Sequence, residues 1–156
     1  MDYHLEKVDD MIIYLATLRI NASIETVWNL VATTQGYATW FPEIEIHHDD
    51  DEVHFISPEF DDIFQLIEYK HASLISYTWD SATVSFSLQH DAEGVLVLFE
   101  ENLPTDFENM SRDITGWHVQ LLRLKSVAEK KSASFDTKLF NSHKVKVEDQ
   151  LNSLIS

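Results

Sequence analysis

The sequence predicts an α+β fold: a strongly curved antiparallel sheet of about six to seven strands wrapped around one long C-terminal helix. Three observations predict it. Through the middle of the chain, apolar and polar residues alternate at period two, as in strands with one wet face. Toward the C-terminus the period changes to 3.6. Between the first strand and the meander, two short helical stretches intervene. An amphipathic helix must bury its apolar stripe, and a sheet with one apolar face supplies the surface.

The first ten residues are polar, and fraying or edge pairing is expected there. Met11 to Ile20 reads as a strand, with Ile12, Tyr14, Ala16, Leu18 and Ile20 on one side. The stretch "NASIETVW" opens a helix: Ser23 suits the N-cap and Glu25 the positive end of the helix dipole. Ile24, Val27, Trp28 and Val31 follow at helical spacing. Thr33 to Trp40 reads as a second short helix or turn, stopped by Pro42. Period two then begins. Glu43 to His48 pairs with Glu52 to Ser57 around "DDD", and Ile63 to Lys70 with Leu74 to Trp79 around "HAS". Ala82 to His90 buries Val84, Phe86 and Leu88, and "DAEG" turns the chain into Val95 to Glu101. From about Glu108 the helical period returns, and Met110, Ile114, Trp117, Leu121, Leu124 and Ala128 share one arc. Gly116 lies on the flank of that arc; close approach of a neighbouring element is the expected reason for a glycine there.

The 156 residues suit one domain, with a core at about 11–131 and a helical extension at about 132–156. In the extension Phe135 and Leu139, then Val147, Leu151 and Leu154, fall at helical spacing. The expected partner of this stripe is the domain itself; a cavity mouth or a second subunit is the alternative. The formal charge is −16, which disfavours phosphate backbones and anionic lipid surfaces, so neither nucleic-acid binding nor membrane insertion is expected. With no cysteine there is no disulfide, thiolate nucleophile or Cys-ligated zinc. A cytoplasmic protein without a secretory signal, monomeric or homodimeric, is the expectation.

Three segments, "INASIETVWNLV" at Ile20–Val31, "WFP" at Trp40–Pro42 and "GWHVQLLRLK" at Gly116–Lys125, resemble in order and spacing the START-like (SRPBCC) superfamily. Within it the chain is similar to the homologues of the heat-shock-protein-90 ATPase activator. The resemblance covers about residues 11 to 131 and implies a helix-grip fold. It also implies a cavity between sheet and long helix for apolar or amphipathic small molecules, or a chaperone as protein partner. The segment from Asp49 to Asp62 is shorter and more acidic than that family's pattern.

The expected ligand-binding residues are Trp40, Phe41, Phe55, Phe64, Tyr77, Trp79, Phe86, Leu88, Phe99, Trp117, Leu121 and Leu124. The same residues would equally serve a filled core, and both readings stand at this point. "HHDDDEVH" brings His47, His48 and His54 near three aspartates. Adjacent residues of a strand face opposite ways, so His47 or His48, not both, can meet His54. No zinc spacing matches, and a solvated acidic turn with no metal is expected. No catalytic motif appears, and no cofactor fingerprint. His90, expected to point inward, and His118, Tyr14 and Tyr77 are the groups from which a cyclase- or isomerase-like acid would have to come. The leading expectation is non-enzymatic binding of a hydrophobic or aromatic small molecule. An acidic adaptor or co-chaperone is the alternative, and an enzyme of the cyclase or isomerase kind the third.

Overall fold

The structure, a computed structural model, describes residues 1–132 and 134–155. Two strands, β1 (Asp2–Val8) and β2 (Met11–Ile20), lead into the helices α1 (Ile24–Ala32) and α2 (Thr34–Tyr37). Six strands follow: β3 (Ile44–His47), β4 (Glu52–Ser57), β5 (Phe60–Lys70), β6 (Leu74–Trp79), β7 (Ala82–Asp91) and β8 (Gly94–Pro104). Two long helices close the chain, α3 (Met110–Ala128) and α4 (Thr137–Ile155). The strands form one antiparallel sheet in the order β1-β2-β8-β7-β6-β5-β4-β3. The expected six to seven strands are therefore eight. The added one is β1: its polar residues do not fray but pair along β2, from Asp2 opposite Thr17 to Val8 opposite Met11. An edge strand buries little, so weak hydrophobicity does not exclude it.

Strand register determines what faces α3. Directly opposed residues of an antiparallel sheet share a face. One such row runs Tyr14, Glu101, Val84, Tyr77 and Leu66 across β2, β8, β7, β6 and β5, and all five are buried. Every residue of the expected α3 arc is buried too, from Met110 to Ala128. Trp117 sits at the centre of the grip, its ring 4.8 Å from Phe99, 5.0 Å from Trp79 and 5.3 Å from Phe41.

The helices after β2 cover one end of the sheet. Ser23 caps α1, its Oγ accepting from the Thr26 backbone N–H at 3.1 Å. Thr33 caps α2 in the same way, accepting from Gly36 at 3.0 Å. A Cβ at Gly36 would lie 1.9 Å from the Asn29 carbonyl oxygen, so the two helices meet through a residue without one. Trp40 follows, its Nε1–H donating to the Leu30 carbonyl at 2.8 Å and its ring stacked on Tyr37.

The C-terminal stripe finds an intramolecular partner. α4 packs along α3 and β1, with His143, Val147 and Leu151 buried. Phe135 and Leu139 do not share one helical stripe, because α4 begins only at Thr137. No helix among the described residues is long and apolar enough to cross a membrane.

Candidate functional site

The centre of the grip is filled. Trp40, Tyr77, Phe86, Phe99, Leu121 and Leu124 are at most 1% exposed, and Leu88 is buried beside them. Phe86 packs on Phe99 at 5.0 Å, and the Tyr37 and Tyr77 hydroxyls hydrogen-bond at 2.9 Å. Burial raises the pKa of both tyrosines, which stay neutral.

Beside the N-terminal half of α3 the packing opens into a pocket of about 350 Å³. Five of the expected residues frame it: Phe41 after α2, Phe55 on β4, Phe64 on β5, Trp79 at the end of β6, and Trp117 on α3. These rings contact one another, Trp79 reaching Phe55 at 5.0 Å and Phe64 at 5.4 Å. Phe107 and Phe135 complete the apolar wall, the latter brought there by the segment ahead of α4. Thus the segment joining α3 to α4 reaches the mouth, while α4 itself packs elsewhere.

The α3 side of the pocket is the stripe Asn109, Arg112, Asp113, Gly116, Trp117 and Gln120. Gly116 does not have the expected reason. A Cβ built there meets nothing within 4 Å, so no neighbouring element approaches it. The glycine instead borders open pocket volume.

A carboxyl pair lies at the floor. Asp113 Oδ1 accepts from Trp79 Nε1–H at 2.9 Å. Behind Asp113 is Glu101, fully buried on β8. Burial, then the charge of Asp113, hold the Glu101 carboxyl well above its usual range, which favours the protonated acid; neither of its oxygens has a hydrogen-bond partner among the described residues. Asp113 is itself raised by burial, opposed by the neighbouring Glu101 and by the hydrogen bond from Trp79. Trp117 Nε1, buried on the pocket wall, has no acceptor among the described residues.

The other polar candidates lie away from this pocket. His90 does not point inward: inward parity runs through Leu88 but the strand end is exposed, and so is His90. His118 is buried against α4, its Nδ1 3.1 Å from the Tyr14 hydroxyl and its ring stacked 3.7 Å from His143. Burial, then the neighbouring His143, push its pKa down to about 4. Among the described residues none of His90, His118, Tyr14 and Tyr77 lines the pocket. At the acidic hairpin, His47 stacks on His54 at 3.8 Å while His48 turns to Tyr69. No group there, or elsewhere among the described residues, has the arrangement of a metal site.

Glu101 was overlooked in sequence although a signal existed. It shares parity with Val95, Val97 and Phe99, the buried side of β8.

No family model matches the chain, and no curated protein matches it. Solved structures do. A conserved protein of unknown function from Enterococcus faecalis is 28% identical, with a TM-score of 0.90 over 99% of this chain and 92% of that one. A protein from Bacillus halodurans is 27% identical, with a TM-score of 0.63 over 74% of this chain and 95% of that one. The Aha1 dimer from Colwellia psychrerythraea is 20% identical, with a TM-score of 0.64 over 76% of this chain and 97% of that one. The chain therefore shares the architecture of these proteins, a curved antiparallel sheet closed on a long C-terminal helix, which fits the helix-grip fold.

Proposed function

We propose that the protein binds a hydrophobic or aromatic small molecule in the pocket beside the N-terminal half of α3, without chemistry of its own. Phe41, Phe55, Phe64, Trp79 and Trp117 form the binding walls, and the deeper rings hold them in place. The observation that supports this reading best is Gly116. A glycine within a helix costs roughly 1 kcal/mol relative to alanine. Here no close contact calls for it, and its effect is to leave pocket volume open. An aromatic cleft of about 350 Å³ also matches the size at which ligand pockets begin. The test is a thermal-shift and native mass-spectrometry screen of lipids and aromatic compounds on the full chain. Binding to the wild type and its loss in Gly116→Trp, which fills the pocket, is the expected result. A complete screen with no stabilising compound would remove the reading.

A second reading has its own support. The similarity to the Aha1 dimer and the charge of −16 suit an acidic adaptor that docks on a basic chaperone surface. Exposed Ile63 and Ile67 on β5 would add apolar contact. Calorimetric titration with heat-shock protein 90 at low and high salt tests it; heat absent at both would sink it.

A further inference from the structure

We infer that the pocket selects a cationic amphiphile: an amine or quaternary ammonium joined to an apolar body. This rests on the binding reading above and adds the charge of the ligand. The rings offer one half of such a site. Tryptophan and phenylalanine faces attract a cation through their quadrupoles, and more strongly where water is displaced. The acids offer the other half. Asp62 and Asp80 line the pocket from the sheet side, Glu108 and Asp113 from the α3 side, and Arg112 alone opposes them.

Asp113 is the residue that ties the two halves together. It lies among the rings, with its Oδ1 fixed by the Trp79 indole N–H at 2.9 Å. Its second oxygen is buried and has no hydrogen-bond partner among the described residues. Burial holds the Glu101 carboxyl behind it well above its usual range, so Glu101 adds no second charge beside Asp113. A half-buried carboxylate among aromatic rings gains by acquiring a counter-ion. The whole chain, at −16, would draw cations toward the site.

Three features pull the other way. The Trp117 Nε1–H, buried on the pocket wall without an acceptor among the described residues, calls for an acceptor. Asn109 and Arg112 place the positive end of α3 at the pocket, which by itself would favour an anion. Asp113, in the first turn of α3, offsets that end from within the helix. Arg112 is exposed, so water and salt screen its charge.

Three probes sharing one naphthalene body decide the matter: the (2-naphthylmethyl)trimethylammonium ion, the uncharged 2-naphthylmethyl methyl ether, and 2-naphthalenesulfonate. Each is titrated calorimetrically into the full chain. The ammonium probe is expected to bind roughly tenfold more tightly than the ether, the size of a partly desolvated cation–π and ion contact. Asp113→Asn is expected to remove most of that preference, read as the ratio of ammonium to ether affinity in the same variant. The double variant Asp62→Asn/Asp80→Asn is expected to reduce it and to weaken its dependence on salt, and it carries the comparison if Asp113→Asn fails to fold. Equal binding of ammonium and ether overturns the cationic selection and leaves the binding function standing. Preference for the sulfonate overturns it in favour of Arg112 and the helix terminus. Binding of none of the three overturns both.

Discussion

Helix α3 is enclosed on two sides, and ionisable groups are buried on each with opposite chemistry. Toward the sheet, Glu101 and Asp113 share a site among aromatic rings. Toward α4, His118 and His143 stack face to face beside Tyr14. Desolvation favours the neutral form in both places, raising the acids and lowering the histidines. The difference is in access. The carboxyl side borders a pocket, while the histidine side is sealed by a helix. The same physical effect thus keeps an acid protonated beside a pocket on one side and sets up a pH-sensitive joint on the other.

Trp117 belongs to both the filled core and the pocket wall, so its removal has the largest expected effect. Trp117→Ala should cost about 3–5 kcal/mol in chemical denaturation, the usual loss for an enclosed aromatic ring. A loss under about 1 kcal/mol would mean that the centre of the grip is not filled as described.

The histidine side comes next. The folded pKa of His118, about 4, lies below its ordinary value of 6.5, and that of His143 is also lowered. The unfolded chain therefore binds protons first as pH falls. The stability associated with neutral histidines is present above about pH 6.5 and is lost as pH falls toward 4. The positive charge of Lys146 lowers both histidines further, and that of the chain's N-terminus lowers His118. Roughly 2 kcal/mol should disappear over that interval. The double variant His118→Gln/His143→Gln should flatten the curve, and an unchanged slope would place the titration elsewhere.

The carboxyl side carries the opposite sign. The folded pKa of Glu101 lies well above its ordinary 4.5, so its contribution is full below that pH and declines as pH rises. Glu101→Gln keeps the shape and removes the proton requirement. It should raise stability at neutral pH by about 1–3 kcal/mol and abolish this decline. A destabilised variant with the same slope would show that Glu101 is not the group responsible.

These two sides were unequally legible in the sequence. The α3 arc was readable because six large or small apolar residues recur at helical spacing, and all six are buried. The strands from β4 to β7 were readable because turn residues bracket alternating runs. β1 was not counted, since an edge strand with one neighbour needs little hydrophobicity to pair. For the pocket, five of the twelve expected residues frame the opening and seven pack inside. Periodicity reports which way a side chain faces, and both groups face inward. What separates them is whether neighbouring elements close over the ring or leave it bordering the pocket, and no local pattern encodes that. The His118–His143 stack was hidden for a related reason: it depends on how α4 returns, which spacing within either helix does not record.

The smallest expected effect tests the pocket side most directly, because it sets two helical glycines against each other. At Gly36 a Cβ would lie 2.6 Å from the Leu30 Cα, so backbone contact demands the glycine. At Gly116 the same atom would enter open space. Gly116→Ala should therefore stabilise the fold by about 1 kcal/mol, the helix propensity difference alone, and raise the melting temperature by a few degrees. The added methyl group occupies pocket volume, so the same variant should bind the naphthyl ether probe more weakly. Stability and binding then move in opposite directions. A residue needed only for packing would move them together, and a variant that gained stability without losing affinity would dissociate Gly116 from the ligand site.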